Sequence, residues 1–428
     1  MKRAFLPATV LALLGQFVNT QGAAASGFMV RENSAESLAT AYGGNGSRAD
    51  EASTVFNNPA GMMHLKEDEV QVGAAVVFPS IRFSGSSSIL GTMPVPGNNG
   101  GQSGQITGIP HFYGVFTLSD RWKAGIAITA PFGNTVNYDP NWSGRYLAVK
   151  TAVISVDINP NFAYRVNDWL SVGAGVSAQY FKLEASGAIA QFLILTPNTP
   201  DAVFLFRGDD WSYGYNLGLL ADLSADTRVG VTYRSQVSHQ PDGTLDFTGA
   251  SPLLGQINGA AAAHGANLPA TVGLSLTRDL TSSWSLSSDV QLNQWSSFKT
   301  VTITSANAPL VEVENYKDSW MVSLGAAYRA DGGLTWRGGM AWDKTPVTDA
   351  VRTVGVPDAN RVMVGLGLGY QLDDHTSIDG AYSHYFSTEH ASMNGSVNNT
   401  DPITHAVVLN GKYTNGLDYV ALSVRHRF

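Results

Sequence analysis

The 428-residue chain contains no cysteine. That excludes disulfides, thiol chemistry and Cys-ligated metal. Charged residues make up only 14%, well below the usual quarter for soluble domains, while Gly reaches 45. Beyond the N-terminal leader, no stretch reaches 18 uninterrupted apolar residues, so no membrane-spanning helix is expected in the mature chain. No G-x-S-x-G, H-E-x-x-H or Walker motif occurs, and no cofactor is expected. The net charge of -8 also makes a nucleic-acid partner a poor expectation.

What is present begins with an export signal. Lys2 and Arg3 precede an apolar run from Ala4 to Val18, and Ala23-Ala24-Ala25 supplies an A-x-A cleavage site, so residues 1–25 read as a signal peptide cut before Ser26. Removing it takes two basic residues and no acidic one, which moves the net charge from -8 to -10.

From about residue 69 the dominant period is two. Leu170, Val172, Ala174, Val176, Ala178 and Tyr180 alternate with Ser, Gly and Gln, and Trp320 to Tyr328 and Val362 to Leu372 repeat the pattern. Six short polar turns alternate with seven long loops, at roughly 85–107, 132–148, 184–210, 239–267, 299–316, 345–359 and 389–415. They join 14 long strands that are apolar outward and weakly polar inward, with aromatics near the strand ends. This predicts an all-β, 14-stranded antiparallel transmembrane β-barrel over residues 69–428. A soluble sandwich or propeller would carry Lys, Glu and Thr on its exposed face. The last strand places Val420, Leu422, Val424 and Phe428 toward lipid and Arg425 and Arg427 toward the lumen. Its terminal Phe resembles the signal read by the barrel assembly machinery during biogenesis.

Residues 26–68 lack strand periodicity. Asn33-Ser-Ala-Glu36 reads as an N-cap with Glu at the third helical position, and Asp50 as a cap for a second short turn. Asn58 before Pro59 and Ala60 suits a helix start. The segment is expected to be an N-terminal, partly helical hatch that plugs the lumen.

The stretches Ser26-Gly27-Phe28, Asn58-Pro59-Ala60, Ala130-Pro-Phe-Gly133, Trp142-Ser-Gly-Arg-Tyr146, Asn159-Pro160, Tyr316-Lys-Asp-Ser-Trp320, Asp343-Lys-Thr-Pro346 and Pro357-Asp358 together resemble the FadL-type outer-membrane transporters of long-chain fatty acids and hydrocarbons. The resemblance spans the mature chain. It implies a bacterial outer-membrane protein, not an enzyme, that takes a hydrophobic small molecule into a groove between external loops. The molecule passes to a pocket near the mature N-terminus and leaves sideways through a kink in the third strand. Outer-membrane lipid and lipopolysaccharide are the surroundings it implies, and a monomer is expected.

On that basis Phe28 is the expected hatch residue touching ligand. The apolar loop residues Ile189, Phe192, Leu193, Leu195, Phe204 and Phe206 are candidates for the groove, with Leu253, Leu254 and Ile257 in the next loop. Pro131 and Gly133 mark the expected lateral gate, because Pro donates no ladder hydrogen bond. Lys182 is the expected partner of a carboxylate, with Arg207 as a substitute. The loop before Tyr316 carries Glu312 and Glu314 where a second cation would be sought. A neutral or aromatic hydrocarbon therefore stands as an alternative substrate, and a general diffusion porin as an alternative of another class.

Overall fold

The structure, a computed structural model, describes residues 27–193, 195–196, 198–252, 258–306, 309–395 and 407–428. The predicted signal peptide lies outside them, as do Leu253, Leu254 and Ile257. None of the described helices is long and apolar enough to cross a membrane; the membrane-spanning elements are strands.

Fourteen antiparallel strands close into a barrel. In chain order they are β1 (Glu69–Ile89), β2 (Thr107–Ser119), β3 (Trp122–Thr129, resuming at Gly133–Asn137), β4 (Lys150–Arg165), β5 (Leu170–Ile189), β6 (Ala202–Ser224) and β7 (Thr227–Arg234). The second half comprises β8 (Thr271–Asp279), β9 (Trp284–Asn293), β10 (Ser319–Arg329), β11 (Leu334–Asp343), β12 (Arg361–Gln371), β13 (Thr376–Ser387) and β14 (Val407–Arg427). Each strand pairs with its sequence neighbours. β1 pairs with β14 from Glu69↔Arg427 to Ile89↔Val407, which shuts the cylinder. Closure matters because an unpaired backbone amide or carbonyl in hydrocarbon costs several kcal/mol.

The period-two pattern fixes the faces. Val420, Leu422 and Phe428 are exposed to the lipid side, while Arg425 is buried on the lumenal side and donates to the Asp50 carbonyl at 2.7 Å. Trp122, Trp169, Trp211, Trp284, Trp320 and Tyr370 all stand on the outer surface, as an aromatic girdle requires.

Several loops are shorter than the sequence suggests. β5 runs on to Ile189 and β6 begins at Ala202. β6 pairs beyond the barrel proper with a strand at Asp242–Thr248, from Asp242↔Asp209 to Thr248↔Val203. The apolar run around Phe204 is thus strand rather than loop, and its hydrophobicity is divided between two faces.

Inside the cylinder sits the hatch. It holds two short helices, α1 (Ala35–Ala39) and α2 (Thr54–Asn57), and a 3-10 helix at Pro59–His64. Ser34, one residue later than expected, caps α1 by accepting from the Ser37 amide at 3.0 Å. Asp50 caps nothing; it pairs with Arg48 at 3.1 Å. Asn58 does cap the turn that follows, accepting from the Ala60 amide at 3.2 Å. Its Nδ2 also donates to the Gly46 and Leu219 carbonyls at 2.6 and 3.0 Å, tying hatch to wall.

Wall side chains satisfy hatch carbonyls: Lys123 reaches Leu65 at 2.6 Å, Arg165 reaches Met63 at 2.7 Å and Arg228 reaches Arg48 at 2.6 Å. Wall glycines admit the hatch backbone. A Cβ on Gly339 would lie 2.2 Å from Thr40 main-chain atoms, and one on Gly365 would lie 2.3 Å from the Leu38 oxygen. We therefore expect Gly339→Val to dislodge the hatch while leaving the fourteen strands paired. Single-channel recording should show a rise in ion conductance over wild type with unchanged heat-modifiable migration; an unaltered conductance would refute the tight seating.

Candidate functional site

Phe28 is 3% exposed and lies at the centre of an aromatic cage. Its ring centroid is 4.8 Å from Trp295, 5.4 Å from Phe298 and 6.1 Å from Phe132, all edge-on. Tyr316 closes the cage 5.7 Å from Trp295 and 5.1 Å from Phe298. Phe181, Leu183 and Phe206 from β5 and β6 extend the apolar wall, with Leu268 and Ile303 above. Edge-to-face aromatic pairs each add about 0.5–1.5 kcal/mol beyond area burial. The chamber is therefore a strongly apolar place, and the Phe28 ring fills it.

Phe132 reaches this chamber because β3 is bulged. Between Thr129↔Asp157 and Gly133↔Ile154, β3 spends one residue more than β4. Simple alternation along β3 puts Phe132 on the same outward face as Trp122. The extra residue reverses that parity, and Phe132 turns inward to 6% exposure.

The strand does not end at Pro131. It breaks over residues 130–132 and resumes at Gly133. The hatch supplies the missing partners: the Val30 amide donates to the Pro131 carbonyl at 2.8 Å and the Gly133 amide donates to the Phe28 carbonyl at 2.9 Å. Ser155 of β4 takes the rest, with its hydroxyl accepting from the Phe132 amide at 2.8 Å. Opposite the break, Thr107 to His111 of β2 pair with β1 but not with β3. A small cleft between β2 and β4 results, lined by Val30, Thr107, Ile109, Ala130, Phe132 and Ile154.

Lys182 is not at the chamber. Phe181 and Leu183 are the buried residues of that stretch, so Lys182 faces outward with Glu184. Arg207 is likewise outward, 3.7 Å from Glu184, which also binds Lys150 at 2.9 Å. Extending the alternation past Tyr180 would have placed Lys182 correctly. Phe206 is in the chamber and Phe204 packs against it. Ile189 is buried at the end of β5, and Phe192 joins a separate upper cluster with Tyr146, 6.3 Å away. Leu193 is exposed and Leu195 half-buried. Of the expected groove residues, Phe204 and Phe206 belong to the Phe28 cluster and Phe192 to the upper one, while Ile189, Leu193 and Leu195 belong to neither.

Trp295 and Phe298, which sequence reading missed, hold the cage. They sit on a 3-10 turn in the loop after β9, and no local pattern ties them to Phe28. Near them, Glu314 is buried, and that burial together with the Glu312 charge holds its carboxyl well above the usual range. Among the described residues, the Trp295 Nε1 has no hydrogen-bond partner.

The family model for the outer membrane protein transport proteins, the FadL and TodX group, matches residues 16–428. The chain belongs to that family. It is a barrel of the bacterial outer membrane. The family member called long-chain fatty acid transport protein from Escherichia coli is 28% identical over 409 residues, covering 88% of this chain and 90% of its own. The 47 kDa outer membrane protein of Pasteurella multocida is 30% identical over 389 residues, covering 85% and 87%. Among solved structures, a Pseudomonas aeruginosa FadL homologue superposes with a TM-score of 0.88 at 24% identity, covering 94% of this chain and all of its own. The Pseudomonas putida toluene transporter TodX gives 0.71 at 17% identity, covering 95% and 99%. These two structures share the fold.

If the cage is the place where a hydrophobe lodges, Trp295 is its largest fixed surface. Trp295→Ala should weaken binding of a labelled long-chain hydrophobe by about tenfold or more, in line with the loss of a large buried aromatic contact. Equilibrium binding in detergent measures this, and unchanged affinity would remove Trp295 from the site.

Proposed function

We propose that the protein carries long hydrophobic molecules, foremost long-chain fatty acids, through the outer membrane by passive diffusion. The molecule is taken up at the apolar outer face, lodges in the cage around Phe28 and leaves through the break in β3. The observation that carries this reading is the adjacency of three features. An apolar chamber, the N-terminal segment that fills it and an interruption of the wall meet at Phe28, Phe132 and Pro131. Transfer from water into the chamber and then into lipid is downhill for an apolar solute at each step, so no coupled energy source is required. The relatives named for fatty acid transport support the substrate class, and the seated hatch argues against a general diffusion porin.

A second reading, uptake of neutral or aromatic hydrocarbons by the same route, is favoured by the aromatic make-up of the cage. The outward placement of Lys182 and Arg207 supports it as well.

Uptake of labelled oleate and labelled toluene by cells producing this chain, against a strain lacking it, separates the two. Oleate is expected to enter. Toluene uptake alone would establish the hydrocarbon reading, and passage of small polar solutes in place of both would mean a porin. The route has its own test at Gly108, which lines the cleft and where an added Cβ meets nothing within 4 Å. Gly108→Trp should lower oleate uptake several-fold while detergent binding stays at wild-type affinity; normal uptake would sink the lateral exit.

A further inference from the structure

The outer wall carries basic residues that the chamber does not use. On β4 to β6 they stand among acids. Arg207 lies 3.7 Å from Glu184, Glu184 binds Lys150 at 2.9 Å, and Asp209 is the cross-strand neighbour of Lys182. That sector is internally matched, and the β1–β14 seam is not. On β1 the even-numbered residues face outward. Val70, Val72, Ala74, Val76 and Phe78 make an apolar band which, for a strand tilted by about 40°, is about 20 Å tall. Above Phe78 the same face continues as Ser80, Arg82 and Ser84. β14 follows suit: Leu422 and Val420 are exposed in the band, and Thr414 and Lys412 lie above it.

The register sets Arg82 opposite Thr414 and Ser84 opposite Lys412. Two cations thus take one diagonal of a cross-strand square, and two hydroxyls take the other. Diagonal neighbours are about 7–8 Å apart, so side chains this long can converge on one tetrahedral anion. All four residues are exposed, and among the described residues neither Arg82 nor Lys412 has an ion-pair partner. Residues 79–110 and 407–417 contain no aspartate or glutamate, and Arg82 and Lys412 are their only charged residues. The one acid on the outer face of either strand, Asp418, lies lower and is held by His384 at 2.7 Å and Tyr382 at 2.6 Å. Arg82 is four residues past Phe78, about 10 Å higher along the membrane normal. That is the layer of lipid head groups, and both basic side chains can reach down the wall toward it.

We propose that Arg82, Ser84, Lys412 and Thr414 form a site on the outside of the barrel for the phosphate of an outer-leaflet glycolipid, the lipid A part of lipopolysaccharide. Unmatched positive charge at head-group depth attracts anionic lipid, and a guanidinium fork beside an ammonium suits a phosphate monoester. The acyl chains of the same molecule lie along Val76, Phe78 and Val420. The lipid then spans the seam at which the barrel closes. The inference rests on the place of the barrel in the outer membrane and is independent of which hydrophobe the protein carries.

The test uses purified full-length protein in detergent at low ionic strength. Native mass spectrometry measures its binding of diphosphorylated lipid A and of the same lipid with its phosphates removed. Wild type should favour the phosphorylated lipid by about fivefold or more, and added salt should shrink that preference. The double variant Arg82→Gln, Lys412→Gln should bind both lipids alike. Each single variant should fall between, which keeps the question answerable if the double variant does not assemble. Arg207→Gln, which removes an outer-face cation already matched by Glu184, should keep the full preference. The site is overturned if wild type shows no preference, or if the preference survives in the heat-modifiable, folded double variant. Equal loss in Arg207→Gln would mean unspecific charge attraction and would overturn it as well. Displacement of the lipid by an equal concentration of inorganic phosphate would leave a free-anion site and overturn the lipid assignment.

Discussion

Backbone hydrogen bonding in a solvent that offers none is the constraint on which this molecule rests. Each of the fourteen strands pairs with both sequence neighbours, and the β1–β14 seam runs for the whole of both strands, while β2 and β3 part beyond Phe112↔Ile128. The β3 strand itself breaks at residues 130–132. There the wall is completed from inside, by Phe28 and Val30 of the hatch and by the Ser155 hydroxyl. A defect that would be intolerable in a plain barrel persists because another segment of the same chain satisfies it.

This places chemistry and architecture in the same few residues. The backbone of Phe28 closes the wall, while its side chain fills the aromatic chamber. The cage occupant and the wall patch thus belong to one short piece of chain, Phe28 to Val30. The rest of the hatch is held by a different set of contacts: α1 lies against glycines of β11 and β12, and Asn58 is bound to β6. The N-terminal strand-like piece can therefore be regarded as distinct from the seated body of the plug.

The family gives the frame in which these local departures acquire meaning. Long-chain fatty acid transport proteins and toluene transporters share one cylinder, so the substrate cannot be read from the fold. It has to be argued from side chains that line the interior, and here the interior holds an aromatic cage around Phe28.

How much of this was legible in the sequence follows from which interactions are local. Strand number, the two faces of β14 and the capping role of Asn58 depend on periodicity two and on neighbouring residues, and those are written in order along the chain. The side of the wall taken by Lys182 was also present, in the alternation that continues from Tyr180, although its basic chemistry suggested the opposite face. The inward turn of Phe132 was not legible, because one extra residue at Pro131 reverses the parity of everything after it and no propensity marks where β4 fails to match. Nor could order along the chain reveal that Trp295 and Phe298 surround Phe28. That is an outcome of closing the barrel around its own N-terminus, which brings together residues far apart in the chain. The sequence by itself determined the barrel and its plug; only the tertiary structure decided where the apolar chamber is and which side chains line it.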